Sequence, residues 1–234
     1  MTEPDLARGA IPSPNIWYHP EVYETENRAV DRAGAITALM LELAPWAGRD
    51  VLDVGCGTGF HLPLFAAQAA SVTGVEPHGD LAAIARRRVR RLPHVTVRHG
   101  SATDLPLADA SVDVVHARWA YFFGPGCEPG LAELDRVVRP GGRAFVIDND
   151  PTRSTFGSWF RLGYPSYDAA EVRDFWLARG WDAHPVETAW TFDRREDLEA
   201  VVRIEFSEEV AEEILAGHAG TDVDYAVTVW TKVF

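Results

Sequence analysis

The sequence predicts an α/β fold: a mostly parallel, doubly wound sheet with helices on both faces. Three observations carry that prediction. Short apolar runs at residues 51–54, 71–75, 95–97, 111–115 and 143–147 alternate with longer stretches of helical periodicity, and strands that alternate with helices pair in parallel. The first run leads straight into Gly55, Gly57 and Gly59, and glycines at alternate positions let a chain turn sharply between a strand and a helix. Residues 224–234 alternate polar and apolar side chains, the pattern of a half-buried strand.

The elements follow in order. Residues 1–20 hold Pro4, Pro12, Pro14 and Pro20 and read as an extended arm. Trp17 and Tyr18 within it must bury an apolar body somewhere: they either staple the arm to the core or close as a lid over a pocket. Residues 21–43 read as one helix whose apolar face runs from Val22 through Ala29, Ile36 and Met40 to Leu43, with Pro45 beyond its end. Residues 60–70, 80–91 and 129–138 read as the next helices. The basic cluster at 86–91 suits the carboxyl end of its helix dipole. Residues 168–179 form a helix stopped by Gly180, and 186–192 a sixth strand. Helices at 194–204 and 207–216 follow, the second capped by Ser207 with Glu208 and Glu209 in its first turn. No internal repeat interrupts the 234 residues, and the chain is read as one domain.

Composition excludes several classes. At 47% hydrophobic residues the chain can bury a sizeable core, yet no run of about 18 apolar residues is present to span a membrane. The amino-terminal residues lack the basic-then-apolar order of a secretory signal. Cys56 and Cys127 are the two cysteines, without metal-ligand spacing, so a reducing cytoplasm is the expectation. A net charge of −13 argues against a nucleic-acid partner.

A strand, a glycine loop and a helix together place a nucleotide-like ligand at a helix amino terminus, beside the carboxyl end of the first strand. The dinucleotide fingerprint G-x-G-x-x-G is not met: the third glycine comes one residue early, at Gly59, and Phe60 stands where glycine is wanted. Glu76 closes the second run, where a carboxylate can accept from both hydroxyls of a ribose.

The run Leu52-Asp53-Val54-Gly55-Cys56-Gly57-Thr58-Gly59 resembles the first motif of class I S-adenosylmethionine-dependent methyltransferases, and the resemblance covers about residues 50–148. It implies a Rossmann-like, seven-stranded sheet whose antiparallel last strand lies between strands five and six. It also implies binding of S-adenosylmethionine, with S-adenosylhomocysteine as product, by Asp53, Gly55, Cys56, Gly57, Gly59, Glu76, Pro77 and His116. Where the family usually runs Gly-Asp-Ala-x-x-Leu-Pro, this chain has Gly100-Ser101-Ala102-Thr103-Asp104-Leu105-Pro106. Ser101 therefore replaces the aspartate that reaches the adenine amino group. The backbone N–H of Ala102 remains for adenine N1, and Asp104 is a candidate substitute.

Methyl transfer is an in-line displacement, so the protein must hold a nucleophile about 3–3.5 Å from the sulfonium methyl. The acceptor lies over the carboxyl ends of the central strands, which brings residues 116–122 and 148–151 to it. His116 is a candidate general base, or a strand-end histidine bonded to backbone. Arg118 either grips a carboxylate, phosphate or phenolate of the acceptor or pairs with Asp148 or Asp150. Tyr121 joins them as a catalytic candidate. Trp119, Tyr121 and Phe122 wall the acceptor site or fill core. Trp17, Tyr18 and Asn149 complete the substrate-binding set, and His61 is read as a solvated first-turn residue or a pocket residue. Asp148-Asn149 resembles half of the metal site of catechol O-methyltransferases, but His116 and Arg118 occupy the place of the other aspartate, so no metal is expected. The Asn/Asp-Pro-Pro-Tyr/Phe signature of adenine and amide N-methyltransferases is absent after strand four. The expected partner is a small-molecule acceptor, anionic if it supplies the counter-charge of Arg118, with no nucleic acid or membrane, on a monomer or homodimer. The other reading is a domain that binds S-adenosylmethionine for a different reaction, or as a catalytically silent partner.

Overall fold

The computed structural model describes residues 5–121 and 124–234. Strands β1 (Asp50–Val54), β2 (Ser71–Glu76), β3 (Val95–His99), β4 (Val112–Arg118), β5 (Val138–Asn149), β6 (Asp182–Thr191) and β7 (Asp222–Val233) form one sheet in the order β3-β2-β1-β4-β5-β7-β6. The first five pair in parallel, and β7 runs antiparallel to both β5 and β6. This is the Rossmann-like arrangement that the resemblance implied. The winding reverses between β1 and β4, and a crevice opens there at the carboxyl ends of the strands.

The central strands are buried on both faces, which is why they read as continuous apolar runs. Along β5, Phe145 and Ile147 enter the core on one face of the sheet while Ala144 and Val146 enter the other, as the two-residue period requires. The helices are α1 (Pro14–Tyr18), α2 (Pro20–Ala29), α3 (Ala35–Leu43), α4 (Leu62–Ala66), α5 (Gly79–Val89), α6 (Glu128–Val137), α7 (Thr155–Gly163), α8 (Ala169–Leu177), α9 (Arg195–Glu205) and α10 (Glu208–Gly217).

Three local readings are corrected. The arm is not extended: Pro14 and Pro20 each stand at the start of a helix, where a missing N–H costs nothing and the fixed φ suits the turn. The helix expected over 21–43 is two. Asp31 (φ 53°) and Gly34 (φ 74°) adopt left-handed backbone, the Asp31 carboxylate accepts the N–H groups of Ala35 and Ile36 at 2.8 and 3.0 Å, and Val30 leaves to bridge Trp190 of β6. Both halves bury apolar residues, so the period continues through a break that capping chemistry decides. Helix α7 had no counterpart in the sequence reading: Phe156, Trp159 and Phe160 lie on one buried face, but Gly157 and Ser158 lower the local propensity. The stop of α8 and the cap of α10 are as expected, and Asp168, read as the first residue of α8, is its cap. Asp168 accepts from the N–H of Ala170 and Glu171, Gly180 has φ 76°, and Ser207 accepts from Val210.

Candidate active site

The glycine loop follows β1 and is tied to β2: the N–H groups of Gly55 and Cys56 both donate to the Val75 carbonyl, at 2.8 and 3.0 Å. Gly55 and Gly57 have φ of 67° and 55°, backbone that side chains strain. A Cβ on Gly55 would stand 2.8 Å from that of Ala120. The carboxylate of Glu76 completes the loop, accepting from Gly57 N–H at 2.8 Å through Oε2 and from His78 N–H at 2.9 Å through Oε1. Burial pushes Glu76 up to about 7, against the pull of those two bonds.

The loop lines a cleft of about 1100 Å³, open solvent at its mouth included. Asp53, Gly55, Cys56, Gly57, Glu76, Pro77, Ser101, Ala102 and His116 all lie on its wall, as do Arg118, Trp119, Tyr121 and Trp17. Three expected site residues do not. A Cβ on Gly59 would meet Ala85 and Leu62 at 3.0 and 3.1 Å, so this glycine lets α4 and α5 close on the loop. Tyr18 is 71% exposed, because neighbours on a helix diverge and Trp17 takes the inward direction. Asn149 spends its carbonyl oxygen on Trp119 Nε1–H (2.9 Å) and Tyr225 O–H (2.5 Å); it braces the wall from behind. Two residues on the wall contribute differently from expectation. Cys56 turns its sulfur toward Gly74 and offers backbone. Ser101 donates its hydroxyl to the Arg8 carbonyl at 2.7 Å, so only its lone pairs remain.

That last bond shows where the arm lies. Ala7 N–H donates to Pro77 O, Gly79 N–H to Asp5 O, Ile16 packs on Gly57, and the Trp17 ring stands 5.1 Å from that of His78. The arm crosses the Gly57–Glu76–Ser101 end of the cleft, and its Asn15 also reaches Glu205 of α9 at 2.7 Å.

At the Arg118 end, His116 is held through Nδ1 by Asp53 Oδ1 at 2.7 Å, with both side chains buried. The bond is to a carboxylate, not to backbone, and it fixes the tautomer and the ring plane. The rings of His61 and Phe65 each lie 5.1 Å from that of His116. Arg118 pairs with neither aspartate. Asp150 is taken by Thr152 and Arg153, and Asp148 is buried with no partner on either oxygen among the described residues, its carboxyl pushed up to about 7 by burial alone. The guanidinium lies 4.3 Å from the Trp119 ring centroid and donates through Nη1 to His61 Nε2 at 3.3 Å. Nε and Nη2 are buried with no partner among the described residues. His61 is thus a pocket residue, held neutral by burial first and then by His116 and Arg118. Tyr121 packs over Gly130, and its buried hydroxyl has no partner among the described residues. Phe122 lies outside the described residues.

The sequence reading missed Tyr23 and Asn27, which enter the wall from α2. Their four-residue spacing on one helix face was the available signal.

Residues 52–146 match the family model described as a methyltransferase domain. The chain is 33% identical over 143 residues to the ubiquinone/menaquinone biosynthesis C-methyltransferase UbiE of Rubrivivax gelatinosus, covering 60% of this chain and 55% of that one. It is 43% identical over 110 residues to a probable S-adenosylmethionine-dependent methyltransferase of Mycolicibacterium smegmatis, covering 47% and 41%. The chain spans about half the length of these curated relatives. Among solved structures, YcgJ of Bacillus subtilis is similar in fold, with a TM-score of 0.62 at 19% identity over 84% of this chain and 96% of that one. Over residues 52–146 the chain is thus similar to methyltransferase domains, S-adenosylmethionine-dependent ones among them.

Proposed function

We propose that the protein transfers a methyl group from S-adenosylmethionine to a small-molecule acceptor whose anionic or ionisable group is held by Arg118. One observation carries the reading: two buried nitrogens of Arg118, without a partner among the described residues, stand on the wall of the cleft that the glycine loop also lines. Unpaired donors in a buried site are costly, and an acceptor oxyanion would pair them bidentately. The residues fit the cofactor. Gly55 and Gly57 hold the left-handed turn that puts loop backbone on the cleft wall, and Glu76 keeps lone pairs beyond its two backbone bonds for the ribose hydroxyls. Ala102 N–H and the lone pairs of Ser101 serve the adenine. When bound, the cofactor supplies an electrophilic methyl on a sulfonium. The chain's own part is to position the acceptor, keep water out and compensate its charge. His116, oriented by Asp53, and Tyr121 are further candidates for contact with the acceptor. We also propose that the chain is one domain, supported by its single sheet, and that it works in the cytoplasm, supported by two free cysteines. Among the described residues no helix is long and apolar enough to cross a membrane.

Calorimetry tests the cofactor: S-adenosylhomocysteine should bind and NAD should not. Tighter binding of NAD would overturn the reading. The position of the arm sets a second expectation. Removal of residues 1–19 should weaken S-adenosylhomocysteine binding by roughly tenfold or more, the equivalent of about 1.4 kcal/mol, because Ile16, Trp17 and the Arg8 carbonyl leave this end of the cleft. An unchanged dissociation constant would mean that the arm only braces the fold.

A further inference from the structure

Asp53 and His116 face each other across β1 and β4, as partners in the register of the two parallel strands. Asp53 Oδ1 takes His116 Nδ1 at 2.7 Å, with both side chains buried. That leaves Nε2 as the one polar atom of the ring for the cleft that His116 lines. Among the described residues Nε2 makes no hydrogen bond. Arg118 follows two positions later on β4 and so projects from the same face. The guanidinium and the free ring nitrogen border one space. His61 joins them, its ring 5.1 Å from that of His116 and its Nε2 accepting from Arg118 Nη1 at 3.3 Å. The charges on this face lack their opposites. Among the described residues Arg118 has no carboxylate partner, and its Nε and Nη2 are sealed without a hydrogen bond. Asp53 has an imidazole on Oδ1, while Oδ2 is sealed with no partner among the described residues. Burying a charge without its opposite is costly. One proton moved from a bound hydroxyl to Nε2 gives both a counter-charge at once: an oxyanion against Arg118 and an imidazolium against Asp53.

We propose that the methyl acceptor is a phenol whose hydroxyl lies between His116 Nε2 and the Arg118 guanidinium, and that His116, positioned by Asp53, takes its proton. This rests on the methyl-transfer reading of the cleft. The phenolic O–H bond breaks, its electron pair stays on oxygen beside the guanidinium, and the proton goes to Nε2. That pair then bonds the transferred methyl, the electrons of the old methyl bond stay on sulfur, and the proton passes from Nε2 to solvent as the product departs. His116 touches the reacting hydroxyl and is the catalytic residue; Asp53 acts through it. Two grounds select a phenol. Its hydroxyl ionises at about 10, within reach of an imidazole aided by a guanidinium, and the walls at Phe60 and Trp119 suit a planar ring. A carboxylate acceptor would pair Arg118 but would bring no proton for the ring on Asp53. The other titratable side chains of the wall are committed elsewhere. His61 spends Nε2 on Arg118, and Glu76 accepts from Gly57 and His78 at the other end of the cleft. Tyr23, Tyr121, Cys56 and Cys127 are kept protonated by burial.

The test uses protein saturated with S-adenosylhomocysteine, its histidines isotopically labelled at the ring nitrogens for NMR. The probe is 4-nitrophenol, whose ionisation is read directly from its visible absorbance. Without the probe, His116 should be protonated at Nδ1 alone. Below the solution pKa of the probe, the bound probe should absorb as phenolate and both ring nitrogens of His116 should be protonated. Calorimetry in buffers of different ionisation enthalpy should then show little proton release, because the proton stays on the protein. In His116→Gln the phenolate should be lost, or should form with release of about one proton, so that probe affinity falls about tenfold per pH unit on acidification. Asp53→Asn, whose amide can donate to Nδ1, should move the resting proton to Nε2 and remove phenolate binding in the same way; an aspartate that only braced the fold would leave the tautomer unchanged. Each variant is saturated according to its own S-adenosylhomocysteine dissociation constant, and the wild-type spectra decide the proposal where a variant fails to fold. Nε2 protonated before the probe arrives, a bound phenolate with Nε2 still unprotonated, a probe bound as neutral phenol, no probe binding, or His116→Gln identical to wild type would each overturn the proposal. Failure of the wild type to bind S-adenosylhomocysteine would instead overturn the underlying reading of the cleft.

Discussion

Replacing Glu76 with alanine should weaken S-adenosylhomocysteine binding by on the order of a hundredfold or more. Hydrogen bonds to charged groups contribute roughly 1.5–3 kcal/mol each, two ribose bonds are lost together, and each 1.4 kcal/mol is a factor of about ten. The geometry adds a second loss: Gly57 and His78 lose the acceptor of their N–H groups, and the loop loses its tie to β2. A pH dependence follows from the same carboxyl. Its pKa is raised to about 7 in the folded protein, so the ionised form that accepts most strongly is filled only above that value. Affinity should therefore fall as pH drops from about 8 to about 6, approaching tenfold per unit. The effect on folding has the opposite sense. Between the ordinary carboxyl pKa and about 7 the folded state holds a proton that the unfolded state has lost, so this group's contribution to stability is full at low pH and is lost as pH rises through about 7. Calorimetry of Glu76→Ala across this range checks both: a loss under about threefold, or an unaltered pH slope, would remove Glu76 from the cofactor site.

Replacing Arg118 with methionine should lower the affinity of the cofactor-saturated protein for 4-nitrophenolate by roughly 10² to 10⁴, from two charge-assisted bonds of about 1.5–3 kcal/mol each. Binding of S-adenosylhomocysteine should change little, since the loop and Glu76 lie at the other end of the cleft. The same substitution should raise thermal stability. Methionine fills similar space against Trp119 and removes a buried charge whose Nε and Nη2 have no partner among the described residues. A group that costs stability and is kept on a cleft wall belongs to function. Unchanged phenolate affinity, or a marked drop in melting temperature, would make Arg118 a structural residue braced by His61 and Trp119.

Most of the fold was legible in the chain. The apolar runs of β1, β2, β4 and β5 and the alternation of β7 mark strands by local pattern, and the spacing of Gly55, Gly57 and Gly59 marks the turn. The misses are places where local chemistry competed with period: Asp31 and Gly34 split one amphipathic stretch into α2 and α3, and Gly157 hid α7. At the site, the glycine loop, Glu76 and Arg118 were legible because each follows a strand whose end the pattern locates. Tyr18 and Asn149 lie off the cleft wall because position in the chain does not say which way a side chain turns, and Gly59 because α4 and α5 close on it.

The sequence by itself determined the strand–loop–helix unit, the carboxylate that closes it and the residue types at the ends of β4 and β5, since these depend on local spacing. Only the tertiary structure decided what those residues face. Asn15 meets Glu205, and Arg118 loses water without gaining a carboxylate among the described residues, because α1, α2, α9 and β7 converge on one end of the sheet. Desolvation is a sum over every segment packed around a group, and no single stretch of sequence contains it.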